Sequence, residues 1–136
     1  MKLLYSDKKT GMTASVELDE ERAAMLLNRK IGSEIDGSAF GLTGYTLKIT
    51  GGSDSSGFPL EKSIAMQGKT RTMRVQHRKR GAAIRRMMVR GNVITSDVKQ
   101  VSAVITQYGS KPLEEVFPNA KKGGKAEQEE KADEKK

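Results

Sequence analysis

Apolar and polar positions alternate through Lys2–Ser6 and again through Thr13–Leu18, with the turn-rich Asp7–Gly11 between them. That pattern predicts an opening β-hairpin. The spacing then changes. Ala23, Leu26, Leu27 and Ile31 recur at helical intervals behind Asp19 as N-cap, with Glu20 and Glu21 in the first turn. A helix of about three turns is expected there, ended by Gly32. Ile35–Gly37 and Gly41–Gly44 read as turn or loop around Phe40. Tyr45–Thr50 alternates cleanly and is the most convincing strand, whereas Gly51–Leu60 reads as a loop by composition.

Residues 62–90 are weakly patterned, with short strands expected near Ser63–Met66 and Arg71–Gln76 and basic loops between them. Met88–Thr95 is extended, with a kink or bulge at Gly91. Gln100–Tyr108 is rich in β-branched residues and reads as a strand. Pro112 suits the first position of a short helix through Val116 and Phe117, which Pro118 stops. From Ala120 onward only Lys, Glu, Gly, Ala, Asp and Gln occur, so nothing is left to bury. The expected organisation is a mostly β, small single-domain, β-barrel-like fold over residues 1–118, with one early α-helix and a short C-terminal helix. A charged tail, disordered by composition, covers 119–136.

Composition narrows the chemistry. Aromatic residues make up only 4% of the chain, so the core must come from Ile, Val, Leu and Met. No cysteine is present, which removes disulfides, zinc knuckles, iron–sulfur clusters and thiol nucleophiles. No stretch approaches the roughly 18 apolar residues a membrane span needs. The first residues show neither the apolar region nor the cleavage site of a signal peptide, so a cytoplasmic protein is expected.

Charge is where the chain becomes specific. The net charge is +8, and its distribution is uneven. Met1–Glu61 carries seven Lys/Arg against nine Asp/Glu, and Pro112–Lys136 six against seven. Lys62–Lys111 carries twelve against the single Asp97, so the whole excess lies in the middle. Its centre is Lys69, Arg71, Arg74, Arg78, Lys79, Arg80, Arg85, Arg86 and Arg90, with His77 among them and no acid. Seven of these nine cations are Arg, whose planar fork engages phosphate bidentately and can stack on a base. A solvated charged face normally interleaves acids, and a membrane-surface helix would need large apolar residues opposite the charges. An RNA backbone is the better fit.

Other candidate chemistry fades on inspection. Gly51–Pro59 lacks the Lys-Ser/Thr ending of a P-loop, and Asp54 is its only carboxylate, too few for an EF-hand. Its Gly51, Gly52 and Gly57 serve either backbone turns or close approach of the loop to RNA. His77 has no neighbouring carboxylate or hydroxyl partner in sequence and reads as an RNA or surface contact rather than a general base. No metal-ligand spacing appears, and no catalytic constellation, so neither cofactor nor small-molecule substrate is expected.

Three blocks together resemble the S6e family of archaeal and eukaryotic small-subunit ribosomal proteins. They are Ile31–Gly37 running through Phe40-Gly41 to Gly44-Tyr45, Leu47–Asp54 with Gly57-Phe58-Pro59, and Val89–Asn92 with Ile94 behind Arg85-Arg86. The second matches a Gly-Gly-x-Asp-x-x-Gly-Phe-Pro pattern. The resemblance spans about Met1 to Phe117. It implies a non-catalytic structural protein whose β-barrel-like domain lies against small-subunit ribosomal RNA beside neighbouring small-subunit proteins, in the cytoplasmic ribosome. The chain is similar to the shorter archaeal form, without the long basic helix and serine-rich end of eukaryotic members, and Met87-Met88 stands where relatives often continue with Lys and Ser or Thr. A free-standing, non-ribosomal RNA- or DNA-binding protein is the alternative.

Overall fold

The computed structural model describes residues 1–78 and 81–109. The short C-terminal helix and the charged tail expected from sequence lie outside the described residues. Among the described residues seven strands are present: β1 (Lys2–Ser6), β2 (Thr13–Glu17), β3 (Glu34–Asp36), β4 (Thr46–Asp54), β5 (Lys69–Arg78), β6 (Gly81–Arg90) and β7 (Val98–Gln107). The one α-helix among the described residues, α1 (Glu20–Ala24), follows β2, and a 3-10 turn spans Gly37–Phe40. The mostly β class therefore holds.

Five strands form one sheet in the order β2-β1-β7-β4-β3, while β5 and β6 pair only with each other. β1 and β2 make the expected antiparallel hairpin, and β1 lies parallel to β7. Because β2 and β3 sit at opposite edges, the sheet stays open rather than closing into a barrel. Register sets the core. Leu3 pairs with Val101, Tyr5 and Ile49 with Ala103, and Leu47 with Ile105, so these side chains share one face. That face is closed over by Leu26, Ile31, Phe40, Leu42, Tyr45 and Ile94, all buried.

Three expectations from the pattern give way to tertiary hydrogen bonding. The three-turn helix is one turn long: beyond Ala24 the chain makes tighter bonds, Leu26 N–H to Ala23 O at 3.0 Å and Leu27 N–H to Ala24 O at 3.2 Å. Asn28 then adopts a left-handed φ of 62°, and the backbone donors of Asn28 and Ile31 go to Ile94 O and Asn92 O. Leu26 and Ile31 are still buried, so the apolar spacing marked a core face without requiring a helix. Asp19 holds the N-cap position, but its side chain makes no capping bond. Downstream, Glu34–Asp36 forms an edge strand and Gly37–Phe40 a 3-10 turn, where turn or loop is expected.

The second correction is β4, which runs through Gly51-Gly52 to Asp54 instead of ending at Thr50. Its ladder with β7 shifts register between Ile49 and Gly51 and again between Ser53 and Asp54. A Cβ on Gly52 would collide with the carbonyl oxygen of Gln100, so glycine permits this close strand approach. The third is the largest. Where short strands and basic loops are expected, residues 69–90 form a hairpin of two ten-residue strands paired without a break from Lys69↔Arg90 to Arg78↔Gly81. Ser63–Met66 is not a strand.

Candidate nucleic-acid interface

Each strand of the basic hairpin spans roughly 33 Å at ordinary β rise. Its base is fastened to the body by backbone bonds: Arg90 N–H to Pro59 O at 2.9 Å, Glu61 N–H to Arg90 O at 2.8 Å, and Gly91 N–H to Gly68 O at 3.0 Å. Gly91 is the expected irregularity, and a Cβ there would overlap the carbonyl of Met66.

Below the hairpin lies an ionic clamp. Asp54, only 3% exposed, accepts at Oδ1 from the backbone N–H of Ser56 (2.8 Å) and of Phe58 (3.1 Å). Its Oδ2 takes Lys69 Nζ at 3.1 Å and Arg90 Nη1 at 3.4 Å. Burial alone would raise the carboxyl's pKa; the bond from Lys69, the two backbone N–H groups and the Lys69 charge outweigh it and hold the pKa below the usual carboxylate value. Gly57, at φ +80°, turns the chain so that Phe58 comes back under Asp54. Lys69 Nζ also lies 5.3 Å from the Phe58 ring centroid. The Gly-Gly-x-Asp-x-x-Gly-Phe-Pro spacing is thus a seat for the hairpin base.

The structure sorts the sequence-predicted cations into two groups. Arg90 is 4% exposed, and its Nη2 donates to Thr95 Oγ1 at 2.7 Å and Asp97 Oδ2 at 2.8 Å besides its pairing with Asp54. The sequence places it among the RNA-binding cations; in the structure burial and two carboxylates tie it into the hairpin base. Lys69 is turned to Asp54, and Arg74 Nη2 meets Glu61 at 3.1 Å, both partly exposed. Arg71, Arg85 and Arg86 are exposed and form no ion pair among the described residues, and His77 is exposed near the tip. Lys79 and Arg80, in the connection between β5 and β6, lie outside the described residues.

The loop glycines divide likewise. Gly51 and Gly52 sit inside β4, half-buried, and serve strand packing, while Gly57 is exposed with open space beside it. The acids of the clamp were the residues missed. Asp54 appeared only as a failed calcium ligand, and Asp97 only as the lone acid of the basic segment, yet that isolation was the available signal. Among the described residues no cluster of His, Cys, Asp or Glu could hold a metal, and no helix is long and apolar enough to cross a membrane.

Comparison with known proteins fits this geometry. The family model for Ribosomal protein S6e matches residues 1–118. The chain is 43% identical over 124 residues to the small ribosomal subunit protein eS6 of Picrophilus torridus, covering 89% of this chain and 96% of that one. It is 43% identical to the eS6 protein of Thermoplasma acidophilum (82% and 93% covered) and 39% identical to that of Methanocella arvoryzae (92% and 94%). Matched along nearly its whole folded length, the chain belongs to the ribosomal protein S6e family.

Proposed function

We propose that this chain is a non-catalytic structural constituent of the cytoplasmic small ribosomal subunit, and that its β5–β6 hairpin binds small-subunit ribosomal RNA. The family supports the first part. The observation that carries the second is the hairpin's exposed charge: among the described residues Arg71, Arg85 and Arg86 stand out on it without an ion pair, whereas Lys69, Arg74 and Arg90 are held by acids of the body. Arg85 and the tip residues Arg78, Lys79 and Arg80 are the principal phosphate contacts. Arg71 and Arg86, on the other face, add long-range attraction and hasten encounter. Lys69, Arg74 and Arg90 act earlier in the chain of causes, by fixing the direction in which the hairpin points. Gly57 stays available for close approach to RNA, while Gly51 and Gly52 hold β4 to β7.

The test is sedimentation. The full chain should co-sediment with small subunits in a low-salt gradient and leave them only at high salt. A chain left at the top of the low-salt gradient, or one that excess bulk tRNA competes away from ribosomal RNA, would refute the reading.

A further inference from the structure

Phosphate binding leaves one feature of the hairpin without a task. Met73, Val75 and Ile84 are 65%, 56% and 67% exposed. Cross-strand partners share a face, and Val75 lies directly opposite Ile84, with Met73 on the adjoining diagonal. The three side chains therefore form one contiguous aliphatic patch. The opposite face is built differently, with Thr70, Thr72, Arg74 and Gln76 alternating along β5 and Met87, 36% exposed, as its one large exposed apolar side chain among the described residues.

We propose that this aliphatic face docks a protein neighbour within the small subunit, through an apolar patch of that neighbour bordered by acidic residues. The inference rests on the ribosomal reading above and assigns to a second partner what that reading leaves unused. Three observations carry it. Met73, Val75 and Ile84 have no planar group, so the patch itself gives bases nothing to stack on, whatever His77 and the arginines at its edge contact. Aliphatic groups pressed against a groove lined with ribose hydroxyls would strip those hydroxyls of water without replacing the bonds. Charge supplies the third. Arg86 stands directly opposite Met73, Arg71 precedes it by one step on the same face, and no Asp or Glu occurs among residues 69–90. An apolar centre edged by arginine is the composition of protein interfaces, and its complement carries acids at the rim.

The chain's own Leu113–Phe117, with Glu114 and Glu115, has suitable chemistry but follows the end of β7 by only a few residues. β7 starts at Val98, paired with Asp54 beside the hairpin base, and ends at Gln107, paired with Thr46 at the other end of β4. The six residues from there to Leu113 span at most about 21 Å, less than the roughly 33 Å that β7 itself covers.

Photo-crosslinking decides the matter. A benzoylphenylalanine placed at Ile84, or at Ala83 on the opposite face as control, is carried by the full chain into small subunits, with incorporation checked by sedimentation. The Ile84 probe should give a protease-sensitive, ribonuclease-resistant adduct to another small-subunit protein, and the Ala83 probe an adduct to ribosomal RNA. An Ile84 adduct to RNA or within the same chain, or none in assembled subunits, overturns the inference. Failure of the Ala83 probe to reach RNA counts against the RNA-binding reading of the hairpin and leaves the Ile84 result to stand alone. As a second measurement, Val75→Thr/Ile84→Thr should leave affinity for naked ribosomal RNA unchanged while reducing retention in salt-washed subunits. Unchanged retention, or an equal loss on naked RNA, also overturns it.

Discussion

The sheet body and the β5–β6 hairpin are both built of strands, yet they treat their side chains in opposite ways. In the body, alternate residues of β1, β4 and β7 point inward and are buried almost completely, Leu3, Leu47 and Val101 each being 0% exposed. In the hairpin, alternation produces two faces and buries little beyond Val89 and Arg90 at its base. The body thus contains its own reason to fold, since burying apolar area contributes about 25 cal/mol per Å². A two-stranded ribbon standing alone is marginal in water. The hairpin borrows its order from the clamp below it and leaves both faces largely exposed. Where a strand's stabilisation comes from outside itself, its composition is free to serve a partner.

The strongest way to break this comparison is to remove the hairpin's outer cations. Replacing Arg78, Lys79, Arg80 and Arg85 together by Ala should leave thermal unfolding of the body nearly unchanged, because the core is drawn from the five-stranded sheet and the segments packed on it. Binding to ribosomal RNA should weaken severely. If each of the four neutralises a phosphate, the slope of log affinity against log salt should become shallower by roughly 2.8–3.6. Filter binding across a salt series reads this directly. A slope within error of the native protein's would mean that the hairpin's outer part does not meet the phosphate backbone.

A smaller effect, on folding rather than binding, is expected at the junction between the two regions. Arg90→Met preserves side-chain length but leaves Asp54 buried without its guanidinium partner, and breaking a buried ion pair from one side costs about 3–5 kcal/mol. Lys69 and the two backbone N–H groups still face Asp54, so the loss should fall near the lower bound. Urea denaturation measures it. Were Arg90 instead an RNA contact, as its place in the basic run suggests, the variant would keep its stability and lose RNA affinity.

That junction also shows what could be read from the chain and what could not. β1, β2 and β7 were legible because each has one buried face, and period-two alternation then survives into the sequence. β5 and β6 were legible only in part, as the short strand expected at Arg71–Gln76, because a ribbon exposed on both faces has no buried side to impose alternation. The glycines at 51 and 52 misled in the other direction. They resemble loop residues, but both continue β4 along β7, and at Gly52 a backbone carbonyl of β7 occupies the space a side chain would need. The helix was overestimated because Leu26 and Ile31 are both buried while the backbone N–H groups of Asn28 and Ile31 turn to Ile94 and Asn92, more than sixty positions away. As for the interface, the run of cations was plain from composition. Which of them are tied down depends on Asp54, Glu61 and Asp97 arriving through the fold, and no local pattern reports that.

The smallest expected effect separates the two regions by pH. Asp7, in the β1–β2 turn, is 2% exposed and accepts from Tyr108 Oη (2.6 Å), Thr10 Oγ1 (2.7 Å) and the backbone N–H groups of Lys9 and Thr10. Burial works to raise its pKa, but these four donors prevail and lower it from 3.8 to about 2. A carboxylate depressed in the folded state adds stability that is complete above its unfolded pKa and is lost as pH falls through the folded one. Stability should therefore decline from about pH 4 towards pH 2, and Asp54, also depressed, steepens the decline in the same direction. Asp7→Asn has no charge to lose, so its stability should fall less between those limits when followed by urea midpoints. Both proteins should share the part due to Asp54. The arginines of the hairpin keep their charge throughout, since guanidinium does not titrate in this range. Acid should then weaken the body while the hairpin's attraction for phosphate persists, and parallel curves for the two proteins would show that the Asp7 network contributes nothing to folding.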